Sequence, residues 1–111
     1  MKQACVVVTG SGGGIGRAVC ETLVDADIKV IGIDVNPARE GADHIQFDLS
    51  RLVDDSNAAG VLRDRILELT DDDTLTGVIN LAAIQLLGNV SLLSIDSYLE
   101  SFKVNALAPL V

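Results

Sequence analysis

The chain has 111 residues, enough for one domain with a real core, and 49% of them are hydrophobic while only 3% are aromatic. Such a core is built from Val, Ile, Leu and Ala, the residues that fill strands buried on both faces. Sixteen acidic against eight basic side chains leave a net charge of −8, which argues against nucleic acid and against anionic membrane surfaces as partners.

Cys5 and Cys20 are the only cysteines and read as two reduced, buried thiols rather than a disulfide framework or a zinc site. No apolar run approaches the roughly 18 residues that span a membrane, and no basic leader precedes a long apolar segment, so a cytoplasmic location is expected.

Short apolar runs alternate with helical patterns along the chain, the signature of parallel α/β units. A first strand is expected over Ala4–Thr9, then a helix over residues 15–26, where Ile15, Ala18, Val19, Thr22, Leu23 and Ala26 recur at helical spacing. Lys29–Asp34 reads as the second strand, and Asn36-Pro37 ends it. A brief turn or short helix leads to a third strand over residues 45–47, ahead of which His44 reads as a solvated residue.

A long helix fits residues 52–69 despite Gly60, whose cost is about 1 kcal/mol relative to Ala. Asp71-Asp72-Asp73 reads as a solvated turn rather than a metal site, and residues 75–83 form a nearly all-apolar fourth strand. The last helix begins at Ser94 as N-cap with Asp96 in its first turn, and Tyr98, Leu99, Phe102 and Ala106 follow at helical spacing until Pro109 disturbs it. Right-handed crossovers then give a Rossmann-type, three-layer α/β domain with a parallel sheet in the order 3-2-1-4.

Between the first strand and first helix the chain reads Thr9-Gly10-Ser11-Gly12-Gly13-Gly14-Ile15-Gly16. At that place a dinucleotide pyrophosphate can approach bare backbone N–H groups and the positive end of a helix dipole. The run satisfies neither Gly-x-Gly-x-x-Gly in any register nor the Gly-Lys-Ser/Thr of a P-loop. It does satisfy Thr-Gly-x-x-x-Gly-x-Gly. Taken alone, it also fits a plain Gly-rich turn.

With the motifs that follow, the chain resembles the short-chain dehydrogenase/reductase family. Asp34 closes the second strand 18 positions after Gly16, Asp48-Leu49-Ser50 follows the third strand, and Asn80-Leu81-Ala82-Ala83 closes the fourth. Ser94-x-Asp96-x-Tyr98, Val104-Asn105 and Pro109 are similar to the family's Thr-x-Glu-x-Trp, Val-Asn and following Pro. The resemblance covers essentially the whole chain and corresponds to roughly the family's first half.

The resemblance implies a cofactor site made of Gly10, Ser11, Gly13, Gly14, Ile15, Gly16, Asp34, Val35, Asp48, Leu49, Asn80, Leu81, Ala82 and Ala83. It implies that Asp34 accepts both ribose hydroxyls of the adenosine; with no basic residue at Gly13 or Val35, NAD rather than NADP is expected. It further implies that Asp48 bonds the adenine amino group and that the Leu49 backbone lies alongside. Asn105 matches the family's Asn that helps hold a water of the proton relay. The residues alone leave plainer readings open: Asp34 as a strand-end acid, Asp48 and Ser50 as an ordinary turn pair, and Asn105 as a tolerated helical residue.

Two departures stand out. Leu81 replaces an Asn and Ala83 a Gly of the family's Asn-Asn-Ala-Gly, and the added Cβ at Ala83 would crowd the nicotinamide side. The family's catalytic Ser and Tyr-x-x-x-Lys pair belong to a fifth strand and next helix that lie beyond residue 111. Tyr98 and Lys103 are no substitute, because five residues turn a helix by about 500° and leave them about 140° apart. Ser91, Ser94, Ser97 and Ser101 read as loop or cap residues.

These features make the chain the NAD-binding part of a dehydrogenase acting on a small alcohol or carbonyl substrate, inactive alone. The alternatives are a non-catalytic nucleotide-binding or self-assembling module, and a Rossmann-like domain that binds nothing. An unpaired fourth-strand edge and an unpartnered last helix predict a homo-oligomer.

Overall fold

The computed structural model describes residues 3–37, 43–71, 73–83 and 94–107. In chain order the elements are β1 (Ala4–Thr9), α1 (Gly14–Asp25), β2 (Lys29–Asp34), β3 (His44–Gln46), α2 (Arg51–Asp54), α3 (Ala58–Thr70), β4 (Thr74–Asn80) and α4 (Ile95–Phe102). A π-helical turn, Lys103–Leu107, continues α4. The strands are parallel and lie in the order β3-β2-β1-β4, as the alternating pattern predicts.

Why β1 is central follows from its composition. Cys5, Val6, Val7, Val8 and Thr9 are all buried, so both faces of the strand are covered. Cys5 and Val7 share one face with Ile31 and Ile33 of β2, Ile45 of β3, Phe47, and Ala58 and Leu62 of α3. Each fully buried Val, Ile or Phe contributes about 1.5–3 kcal/mol. On the opposite face α1 runs back beside Val30 and Gly32 of β2, giving helices on both sides of the sheet.

The register fixes the site. Thr9 sits beside Ile33 of β2 on one side and Asn80 of β4 on the other. The chain leaving β1 therefore emerges between the carboxyl ends of β2 and β4, at the point where strand order reverses.

Several expectations change. The helix expected over residues 52–69 is broken into α2 and α3 by Asp55, which is extended at φ −123° and ψ 113°. Its Oδ1 accepts from the Asn57 N–H at 2.9 Å and its carbonyl from the Ala58 N–H at 3.1 Å. This local bonding competes with a continuous helix. Gly60 lies inside α3 as expected.

β4 stops at Asn80 and is not buried as its apolar run suggests: Leu75 is 42% and Val78 56% exposed. Cys20 is only half-buried, and His44 opens β3 with Nε2 at 3.0 Å from the Asn36 carbonyl rather than standing free in solvent. At α4 the Ser94 hydroxyl accepts the Ser97 N–H at 3.1 Å and Asp96 lies in the first turn, as read from sequence. The turn at Lys103–Leu107 widens what was expected to continue as regular helix. Ser91, Asp72, Pro109 and the side chains of Tyr98 and Ala106 lie outside the described residues.

Candidate functional site

The glycine turn is fastened to both neighbouring strands. Gly10 takes φ +70°, its N–H donates to the Ile33 carbonyl at 2.8 Å, and a Cβ there would stand 2.8 Å from the Ala82 nitrogen. A Cβ on Gly16 would overlap the Gly10 carbonyl oxygen, so α1 can begin this close to β1 only with glycine there. Gly14 differs, because nothing lies within 4 Å of the place its Cβ would take. It opens α1, whose N-cap Gly13 offers no side-chain hydrogen bond and whose first turn carries no acid. The amides of that turn keep their capacity for an anion.

Thr9 closes the other side. Its Oγ1 accepts the Leu81 N–H at 3.1 Å and the Ala82 N–H at 3.2 Å, which holds the end of β4 against the glycine turn. Asp34, at the end of β2, accepts the Gly12 N–H on Oδ2 and the Asn36 N–H on Oδ1, each at 2.9 Å. Asp48 accepts both the N–H and the hydroxyl of Ser50 on Oδ1, at 3.0 and 2.8 Å. The turn-pair role read from sequence is thus present, and it aims the loop ahead of α2.

A groove of about 410 Å³ collects Gly10, Gly13, Asp34, Val35, Asp48, Leu49, Leu81, Ala82 and Ala83. Ser11, Gly14, Ile15, Gly16, Asn80 and Asn105 lie outside its lining. Ser11 turns its hydroxyl over Gly32, where Oγ is buried with no partner in hydrogen-bond range. Asn80 ends β4 beside Thr9, and Asn105 lies in the π-helical turn with Nδ2 donating to Ser101 Oγ at 3.1 Å. Phe47, Glu100 and Val104 also line the groove, although sequence reasoning gave them no site role. For Val104 the signal was its place beside Asn105. A Gly-lined floor, a carboxylate at one end and a helix start without a side-chain cap together suit a dinucleotide.

The chain matches the short chain dehydrogenase family over residues 4–111. It belongs to that family. It is 34% identical over 96 residues to the fluoren-9-ol dehydrogenase of Terrabacter sp. (strain DBF63), a match covering 86% of this chain and 24% of that protein. Among solved short-chain dehydrogenase structures and their like, the ligand-free aldohexose dehydrogenase of Thermoplasma acidophilum superposes with a TM-score of 0.80 at 25% identity, covering 98% of this chain and 41% of that one. A Brucella ovis family member in complex with partially ordered NAD gives 0.78 at 27% identity, covering 98% of this chain and 54% of that one. The 4-hydroxyisoleucine dehydrogenase complexed with NADH gives 0.78 at 26%, covering 97% and 45%. The chain thus spans about a quarter of the curated relative and about half or less of the solved ones.

Proposed function

We propose that this chain is the NAD-binding part of a short-chain dehydrogenase whose complete form moves a hydride between NAD(H) and a small alcohol or carbonyl substrate. The observation that carries this reading is the placement of Asp34. Its carboxylate lines the groove at the carboxyl end of β2, held by two backbone N–H groups beside the glycine turn. There it accepts the adenosine ribose hydroxyls and repels a 2′-phosphate, and neither Gly13 nor Val35 supplies a compensating cation. The solved relatives that carry NAD or NADH support the same cofactor.

NAD, when bound, supplies the hydride acceptor. The chain's own residues bind and orient. The amides at the start of α1 hold the pyrophosphate, with Gly14 leaving room for its approach. Ser11, Ile15 and Gly16 contribute backbone to the same turn. Asp48 and the Leu49 backbone flank the adenine. Leu81, Ala82 and Ala83 would line the nicotinamide ribose, with Asn80 behind them at the end of β4, and the Ala83 Cβ would narrow the space there. In the complete enzyme Asn105 would help hold a water of the proton relay.

No Tyr-x-x-x-Lys pair occurs in the 111 residues, and on this reading the chain by itself delivers no proton to a substrate oxygen. On this reading the protein is expected in the cytoplasm, and its charge of −8 disfavours nucleic acid and anionic membrane surfaces as partners. Among the described residues no helix is long and apolar enough to cross a membrane.

A second reading, a self-assembling module, is favoured by the apolar side chains that stand exposed on β4 and α4: Leu75, Val78, Ile95, Leu99 and Phe102. Both readings predict a homo-oligomer through the β4 edge and α4, which light scattering checks against a monodisperse monomer. Titration separates both from a Rossmann-like domain that binds nothing: NADH emission should rise on binding, with NADPH at least about tenfold weaker. No binding of NADH favours the domain that binds nothing. Alcohol-dependent NADH formation by the 111-residue chain would overturn its assignment as inactive.

A further inference from the structure

The lining of the groove draws on distant parts of the chain. Phe47, Asp48 and Leu49 lead into α2, whereas Glu100 and Val104 belong to α4 and the π-helical turn. Lys103 joins the two. Its Nζ lies 2.9 Å from Oδ1 and 3.0 Å from Oδ2 of Asp54, the last residue of α2.

The pair differs from the other helix-surface ion pairs. Arg51–Asp55, Arg63–Asp64 and Arg65–Glu68 each join residues within four positions, at 3.4–3.8 Å. Lys103–Asp54 spans 49 positions, engages both carboxylate oxygens, and leaves the lysine side chain only 27% exposed. Lys103 also directly precedes Val104, whose buried side chain lines the groove. The hydrogen bond to Asp54 holds the lysine pKa above its ordinary value.

We propose that the Lys103–Asp54 pair sets the width of the cofactor groove at its adenosine end, by fixing the groove-lining Glu100 and Val104 relative to Asp48 and Leu49. The inference rests on the NAD reading above. Both are positioning residues, and neither lines the groove. A solvent-accessible ion pair adds little to global stability, so its effect falls on groove geometry rather than on folding.

The test is titration of the 111-residue chain with NADH, followed by its own emission in a protein without Trp, with ADP-ribose and nicotinamide mononucleotide as competitors. K103M and D54N should each weaken NADH and ADP-ribose about three- to fivefold, leave nicotinamide mononucleotide unchanged, and move the melting midpoint by less than about 4 °C. K103R, which keeps the cation, should bind as the parent does. Parent-like affinity in K103M and D54N overturns the clamp, as does equal loss of ADP-ribose and nicotinamide mononucleotide. If the parent chain itself fails to bind NADH, the cofactor reading falls and the clamp with it. A binding parent with unaltered variants sinks the clamp alone.

Discussion

On the β2 side of β1, apolar strands are enclosed: Ile31, Ile33 and Ile45 are almost fully buried beneath α3. On the β4 side, a strand of similar apolar content keeps Leu75 and Val78 largely exposed, and α4 shows Ile95, Leu99 and Phe102 to solvent. Both regions follow the same β-α-β logic and share β1, yet only the first is covered on both faces by described residues. Hydrophobicity places a residue in a strand, whereas burial depends on which layers lie over it. The glycine turn is fastened to both regions, by Ile33 and Asp34 on one side and by Thr9 to Leu81 and Ala82 on the other.

The sharpest way to break this comparison is at the glycines. Gly16→Ala forces a Cβ into the Gly10 carbonyl and should cost about 3 kcal/mol or more, seen as a collapse of the denaturant midpoint. Ile31→Ala, in the enclosed region, should cost about 2–5 kcal/mol by the same measurement. Gly14→Ala should leave stability unchanged or slightly raised, because its Cβ meets nothing, while NADH affinity falls about tenfold or more. Unaltered NADH binding in that variant would remove Gly14 from the site.

Val78→Ala should cost less than about 1 kcal/mol in the chain alone. A loss as large as that of Ile31→Ala would mean the β4 face is covered in solution.

The smallest effect concerns pH. The Gln3 backbone N–H, and then Lys29 at 3.2 Å, hold the Asp73 carboxyl below its usual 3.8. Its contribution is therefore complete above that value and lost as pH falls through the lowered one. Asp73→Asn should flatten the acid limb of a melting-temperature profile relative to the parent, and an unchanged limb would show that other carboxylates govern it.

Much of the fold is legible in the residues because local and long-range signals agree there. The strand order follows from the alternating pattern, and Ser94 with Asp96 marks the start of α4 by a cap that the structure contains. The family motifs lead to the groove itself, where nine of their residues meet. What sequence missed is set by competition or by neighbours. Asp55 breaks a well-patterned helix through two hydrogen bonds that no apolar periodicity reports. Ser11 belongs to the motif, yet its side chain packs over Gly32, a choice settled by the space on β2. Val104 and Phe47 enter the site through packing and carry no chemical signature of their own.

Asp34 holds the Gly12 amide on one oxygen and the Asn36 amide on the other. An attempt to retool the protein for a phosphorylated cofactor by removing this acid would therefore strip the glycine turn of a fastening at the same moment. Such a redesign has to supply a neutral acceptor for the Gly12 N–H before it adds a cation, or the turn loosens and both cofactors are lost together.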